Sequence, residues 1–271
     1  MEINLKTPAF QAPNRSTAIL RMSIGLLITF LCGTVMAMSP FAKNYHYKKD
    51  YQSFEEEREL VIAAPGELVV DAGKNGGISV HGWDRPDVQI IAKVNVYCET
   101  ENEAEVLFSK INVFAENKIY AEGPGSNWAV SFEIFAPKTL YANLEAFNGG
   151  ISIETMASKV SMRTVNGGIN VTRCAGEVRG KTTNGGLRIQ CNGTSWQGNG
   201  IDLITTNGGV SISIPEDFNG ELATGTVNGR MSFDFPVTVQ GEIDRSFETV
   251  LGKGGPRIRA ITTNGAVRLS N

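Results

Sequence analysis

A chain of 271 residues with 41% apolar content holds enough aliphatic and aromatic mass for a continuous core, and 30 glycines against 10 prolines suit many tight corners rather than a disordered chain. The 28 acidic and 25 basic residues leave a net charge of −3, which excludes the basic excess that draws a protein to nucleic acid. The acidic bias is local: residues 41–137 carry 16 Asp/Glu against 9 Lys/Arg, whereas residues 138–271 carry 11 against 13.

Residues 1–21 form a polar leader with Lys6, Arg15 and Arg21, and Met22 to Met38 follow as 17 residues without a charge. A basic flank, an apolar centre and Val35-Met36-Ala37 fit a secretory signal cleaved after Ala37. Seventeen residues is also the low limit of a membrane span, so residues 1–38 are read as a signal peptide or an N-terminal membrane anchor. Either reading exports the rest to the periplasm or cell surface, and an anchor would tether it to the inner membrane. Leu31 stands where a lipoprotein site needs a small residue, so Cys32 is an ordinary apolar-segment cysteine. Residues 39–59 have no clean period and are read as a tether, their run Glu55-Glu56-Glu57-Arg58-Glu59 as a solvated face.

Residues 60–140 are read as a β-rich N-terminal cap. Strands are predicted at Leu60 to Ala63, Glu67 to Asp71 and Val88 to Val96. Thr100-Glu101-Asn102-Glu103 is a capping box, and Ala104, Leu107, Phe108 and Ile111 fall at helical spacing, so one short helix is expected over 101–110. Strands resume at Ile111 to Phe114, Lys118 to Glu122 and Val130 to Ala136.

Residues 141–271 repeat one phrase. Asn148, Asn166, Asn184, Asn207, Asn228 and Asn264 each precede Gly, at intervals of 18, 18, 23, 21 and 36 residues, and a looser copy stands at Asn75. Three and five residues after the Asn come apolar pairs such as Ile151/Ile153, Ile169/Val171 and Leu187/Ile189, and a second inward set precedes it, as in Val160/Met162/Thr164. Period-two alternation on both sides of a Thr-x-Asn-Gly corner describes a coil of about 18 residues and two strands. Such a coil cannot bury its own apolar face, so the coils should stack in parallel register as a β-solenoid. The Asn side chains would then form an amide ladder along one edge, and Gly would supply positive φ at the corner. A second corner is marked by Gly176, Gly200, Gly220 and Gly254-Gly255. The competing reading of Asn-Gly is a two-residue β-hairpin turn. The 36-residue gap before Asn264 equals two coils and would hold a degenerate one around Asp244 to Gly255.

The Thr-x-Asn-Gly-x-(Ile/Val)-x-(Ile/Val) phrase, the segment from Gly76 to Trp83 and the closing run from Gly252 to Gly265 resemble the bacterial putative-adhesin β-helix family, a group of unknown function. The resemblance covers roughly residues 60 to 271 and implies an envelope location with an adhesive or scaffolding role. Its Asn and Gly residues are structural corners, so it carries no catalytic assignment.

Cys98, Cys174 and Cys191 are the cysteines after the apolar segment, and Cys174 and Cys191 fall on adjacent coils within reach of a disulfide; buried free thiols are the alternative. Neither His46 nor His81 sits at ligand spacing from a cysteine or carboxylate cluster, so no metal is called for, and no cofactor motif is present. The outward acids Glu154, Glu177 and Asp202 occur once per coil and do not repeat as the carboxylate pair a polysaccharide hydrolase needs. Arg163, Arg179, Lys181 and Arg188, with Arg173 nearby, form a candidate basic face for an acidic glycan; exposed charges that keep a solenoid soluble are the plainer reading. The chain is thus read as an exported, non-catalytic envelope interaction or scaffold module whose partner is an envelope protein or an acidic glycan. The alternatives are a polysaccharide-binding or polysaccharide-cleaving β-helix protein and an accessory domain in envelope-stress sensing.

Overall fold

The computed structural model describes residues 51–234 and 245–271. The Met22 to Met38 segment, His46 and the first part of the expected tether lie outside them; among the described residues no helix is long and apolar enough to cross a membrane. Alternating apolar and polar residues build almost everything else. Four strands open the chain: β1 (Gln52–Ala63), β2 (Leu68–Asp71), β3 (Ile78–Trp83) and β4 (Asp87–Cys98). β1 runs antiparallel to β4 along its full length, so residues 52–59 are strand and not tether. The Glu-rich composition concealed an alternation in which Phe54, Glu56, Arg58, Leu60 and Ile62 are half-buried and their neighbours exposed.

The helix α1 (Glu101–Phe108) ends two residues before the expected boundary. Thr100 caps it by accepting the Glu103 N–H at 3.3 Å, while the Glu103 carboxylate accepts the Glu99 N–H, one residue earlier than the standard box. Arg58 of β1 closes the other end by donating to the carbonyls of Phe108, at 2.7 Å, and Ile111. β5 (Asn112–Ala115) and β6 (Ile119–Glu122) form an antiparallel pair, and β7 (Trp128–Pro137) lies antiparallel to β4 and parallel to β3.

From Ala142 the chain alternates between two sheets: β8 (Ala142–Ala146), β9 (Ile151–Glu154), β10 (Ala157–Thr164), β11 (Ile169–Thr172), β12 (Ala175–Asn184), β13 (Leu187–Gln190), β14 (Gly200–Asn207) and β15 (Val210–Ser213). It ends with β16 (Gly220–Asn228), β17 (Met231–Phe233), β18 (Ser246–Leu251), β19 (Arg257–Asn264) and β20 (Val267–Ser270). The first sheet has the order β1-β4-β7-β3-β9-β11-β13-β15-β20-β17, and the second β18-β16-β19-β14-β12-β10-β8-β2-β6-β5. Parallel pairing through the repeats excludes the hairpin reading of Asn-Gly. Register stacks like on like: Phe132, Ile78, Ile151, Ile169, Leu187, Val210, Val267 and Met231 form one column of the first sheet. Each fully buried member stabilises the stack by about 1.5–3 kcal/mol.

The Thr-x-Asn-Gly phrase is the clasp between coils. Asn148, Asn166, Asn184 and Asn207 each donate from Nδ2 to the Oδ1 of the preceding coil, Asn75 first, over 2.7–3.0 Å; Asn264 bonds Asn207 and Asn228 bonds Asn264 in the same sense. One turn inward, Thr164, Thr182, Thr205, Thr262 and Thr226 are buried, and each hydroxyl donates to a glycine carbonyl of the adjoining coil at 2.7–2.8 Å. The corner glycines do not serve as expected: Gly149, Gly167, Gly185, Gly208, Gly229 and Gly265 are absent from the positive-φ residues. They are required by close approach, since a Cβ on Gly167 would run into the carbonyl of Gly149. Left-handed backbone occurs at the other corner, at Gly176 (φ 91°) and Gly200 (φ 102°), and also at Thr155 (φ 59°) and Arg173 (φ 51°).

The stack does not follow chain order at its end. β19 lies between β14 and β16, and β20 between β15 and β17, so Asn228 and Asn264 are neighbours and no coil separates them. The stretch expected to hold a degenerate coil contains β18, antiparallel on the outer edge of β16, which carries the chain back so that Arg257 can enter between existing strands.

Of the two readings open for Cys174 and Cys191, a disulfide or buried free thiols, the structure has the second: both are free and buried, as is Cys98. The ladder of β11 and β13 ends at Thr172 opposite Gln190, so the next positions are Arg173 and Cys191, with Cys174 one residue further on. Cys174 instead donates weakly to the Thr172 carbonyl at 3.2 Å. Burial pushes Cys174 up to about 11 and Cys191 up to about 12.

Two outcomes follow. Gly167→Ala should cost about 3 kcal/mol or more of stability in urea unfolding, whereas Gly66→Ala, with open space around it, should be neutral or stabilise by about 0.4–1 kcal/mol; equal effects would contradict the close-approach account. Above the ordinary thiol value of 9.0 an unfolded cysteine ionises while Cys174 and Cys191 stay protonated in the fold. The unfolded state then binds fewer protons, and stability falls as pH rises from 9 toward about 11. Cys174→Ala should flatten that slope, and neither native thiol should react with an alkylating reagent at pH 8.

Candidate functional site

Because each coil repeats the register of the last, outward side chains form rows across the sheets. In the second sheet Asp71, Glu145, Arg163 and Lys181 are consecutive partners. Arg163 and Lys181 therefore stand side by side on neighbouring strands, both exposed, and neither makes an ion pair among the described residues. Strands lie about 4.8 Å apart, so the two cations repel and gain from a shared anion. At the acidic end of the row, Lys118 bonds Asp71 at 2.8 Å. Partial burial pushes the Asp71 carboxyl up, but the Lys118 ammonium and the Gly73 N–H outweigh it and hold the group below the usual carboxylate range.

The next row runs Ser161, Arg179, Asp202 and Arg259. Arg179 bonds Glu177 of its own strand at 2.7 Å, and Arg259 bonds Asp202, so this row is balanced. Arg188 does not join them: it belongs to β13 in the first sheet, between Asn170 and Ser211. Arg173 occupies a left-handed corner and bonds Glu154. Of the expected basic face, Arg163, Arg179 and Lys181 share one sheet, and Arg163, which has Glu145 on its other side, and Lys181 are the two of these without an ion pair among the described residues.

A second constellation was hidden from sequence spacing. On the outer side of the first sheet, His81 of β3 stands between Glu133 of β7 and Glu154 of β9. Its Nδ1 lies 3.3 Å from Glu154 and its Nε2 3.8 Å from Glu133, and its ring stacks on Phe135 at 5.1 Å between centroids. Lys93 holds Glu133 at 2.9 Å, and that contact raises the Lys93 ammonium. Trp83 leans on Phe135 and carries the Arg85 guanidinium over its face. His81 is thus beside two carboxylates after all, 52 and 73 residues away in sequence, and strand register alone creates the neighbourhood. The two glutamates address opposite ring nitrogens rather than one point. That geometry bridges three strands, and no group of three or more His, Cys, Asp or Glu among the described residues is placed to hold a metal ion.

A profile described as Toastrack DUF4097 matches residues 133–270, just over half of the chain. Among solved structures, the chain is similar to a "putative cell adhesion protein" from Clostridium sporogenes, with 12% identity, 80% of this chain and 99% of that chain covered and a TM-score of 0.46. It is similar to a "putative adhesin" from Bacteroides fragilis, with 12% identity, 79% and 96% covered and a TM-score of 0.34. A "putative lipid binding protein" from Parabacteroides distasonis shows 10% identity, 80% and 97% covered and a TM-score of 0.27. No curated protein matches the chain.

Proposed function

The chain belongs to the Toastrack DUF4097 family, and from that footing we propose that it is an exported, non-catalytic interaction module of the cell envelope, adhesin-like in character. In this reading, coils of about 18 residues and two strands form a stiff solenoid, residues 60–140 cap its first end, and Met22 to Met38 deliver it across, or hold it in, the inner membrane. The observation that carries the reading is the pair Arg163 and Lys181, fixed side by side on a regular outward face without an ion partner among the described residues. Such a pair suits repeating carboxylate, sulfate or phosphate groups of an acidic glycan, whose spacing can match strands held in constant register. The outward acids support binding over cleavage: Glu154, Glu177 and Asp202 are each engaged by an arginine, Arg173, Arg179 and Arg259, whereas glycoside hydrolysis needs two carboxyls free to meet one bond.

The test is retention of the protein on immobilised acidic and neutral glycans across a salt series, with the eluate examined for shortened sugars. Acidic glycans should retain it in a salt-sensitive manner, the double variant Arg163→Ala/Lys181→Ala should bind about ten-fold more weakly, or about 1.4 kcal/mol, and the sugars should emerge intact. Failure to bind any glycan, or release of shorter sugars, would overturn the proposal.

A further inference from the structure

The coil formed by β19 and β20 follows that of Asn228 in sequence and yet lies inside it, enclosed on both sides. Asn264 donates to Asn207 at 2.7 Å and accepts from Asn228 at 2.8 Å; Thr262 donates to the Gly208 carbonyl, and Thr226 donates to the Gly265 carbonyl. Ile258, Ala260, Val267 and Leu269 are buried to 1% exposure or less. In the strand ladders of the described residues, β14 and β15 meet β16 and β17 only through this coil, with a single bridge between Ser195 and Asn219 outside it. Removing the coil would leave a slot whose two walls present a Thr-Asn-Gly face each.

That slot reads a phrase, not a chain end. The coil enters it through Gly252-Lys253-Gly254-Gly255-Pro256, where Gly252, Gly254 and Gly255 have φ of 53°, 78° and 143°. Three glycines in left-handed backbone mark a segment whose reversal depends on residues that also extend freely. Fully extended, these five residues span roughly 17 Å, enough to carry β19 away from its own slot.

We propose that residues 257–271 are an exchangeable coil and that the slot between β14/β15 and β16/β17 is a binding surface for a second copy of this chain. Two copies trade coils through residues 252–256, and each slot is refilled with the same hydrogen bonds and the same apolar contacts. No contact is lost, so the balance is set by the hinge and by concentration: the tethered coil acts at a millimolar effective concentration, and the closed monomer prevails in dilute solution. A hinge too short to turn back favours exchange. This interface stands independently of the glycan reading, since it uses none of the outward cations.

The experiment uses the full chain carrying Ser211→Cys and Arg268→Cys, two outward positions that are partners in the ladder of β15 and β20 and so within disulfide reach. After incubation from roughly 1 µM to roughly 1 mM, concentrations that bracket the tethered value, and mild oxidation, denaturing gels without reductant report whose coil fills each slot. Internal bonds give monomer, and exchange gives covalent dimer. The dimer should rise with concentration, and deletion of Gly254 and Gly255 should convert most of the protein to it. Monomer at every concentration overturns the proposal even if the deletion variant fails to fold. Dimer seen by light scattering without the covalent species overturns it as well, since that would be ordinary surface association.

Discussion

The coils of Asn148, Asn166, Asn184, Asn207 and Asn264 each leave a glycine carbonyl at their Asn-Gly corner, and the stack holds there because the adjoining coil brings a threonine hydroxyl to it. Thr164, Thr182 and Thr205 are buried, and their bonds to Gly149, Gly167 and Gly185 are the inner half of a two-part clasp whose outer half is the asparagine ladder. An unpaired carbonyl in this position costs about 1–3 kcal/mol, and the penalty would recur at each layer. The glycines are the third partner: with no Cβ, the corners approach until amide and hydroxyl both reach. Thr, Asn and Gly are therefore one device, and none of the three explains the fold alone.

This clasp also decides what the surface can be. A slip of one residue would turn the apolar columns outward and break both hydrogen-bond rows together, so register is held tightly and side chains from separate coils recur at constant spacing. Arg163 beside Lys181 is a product of that constancy, as is the line of opposite charges through Arg179, Asp202 and Arg259. The His81 bridge arises from the other part of the molecule, where β7 joins the parallel sheet beside β3 after the chain has passed through α1, β5 and β6. Outward surface of two kinds is thereby carried on one scaffold, a periodic face on the coils and a singular cluster near their start.

The repeated phrase made the coils legible in the sequence, down to which residues face inward: Val160, Met162 and Thr164 are buried as their alternation implied. What was misread shares a cause. β1 was hidden because glutamates on an edge strand look like a solvated run, although partnership with β4 half-buries Glu56 and Arg58. The neighbours of His81 depend on strand pairing over long sequence distances, which carries no local signature, whereas Arg188 and Lys181 are parted locally, by the corner at Asn184 that sends β12 and β13 to different sheets. The position of the final coil was illegible for the same reason: Asn264 has the right phrase for any layer, and only the reversal at β18 decides which one it occupies. Identical coils make the local fold easy to read and the order of layers hard.

That order has a consequence for how the protein is made. Synthesis produces the corners in the sequence Asn207, Asn228, Asn264, but the finished stack places them as Asn207, Asn264, Asn228. The coils up to Asn207 can be laid down one upon another as they emerge. The coil of Asn228 has no finished surface to settle on until residues 257–271 have been made and laid against the coil of Asn207. Completion is therefore gated by the coil of Asn264, and a chain that lacks that one coil is left with an open seam in its interior rather than a shorter stack.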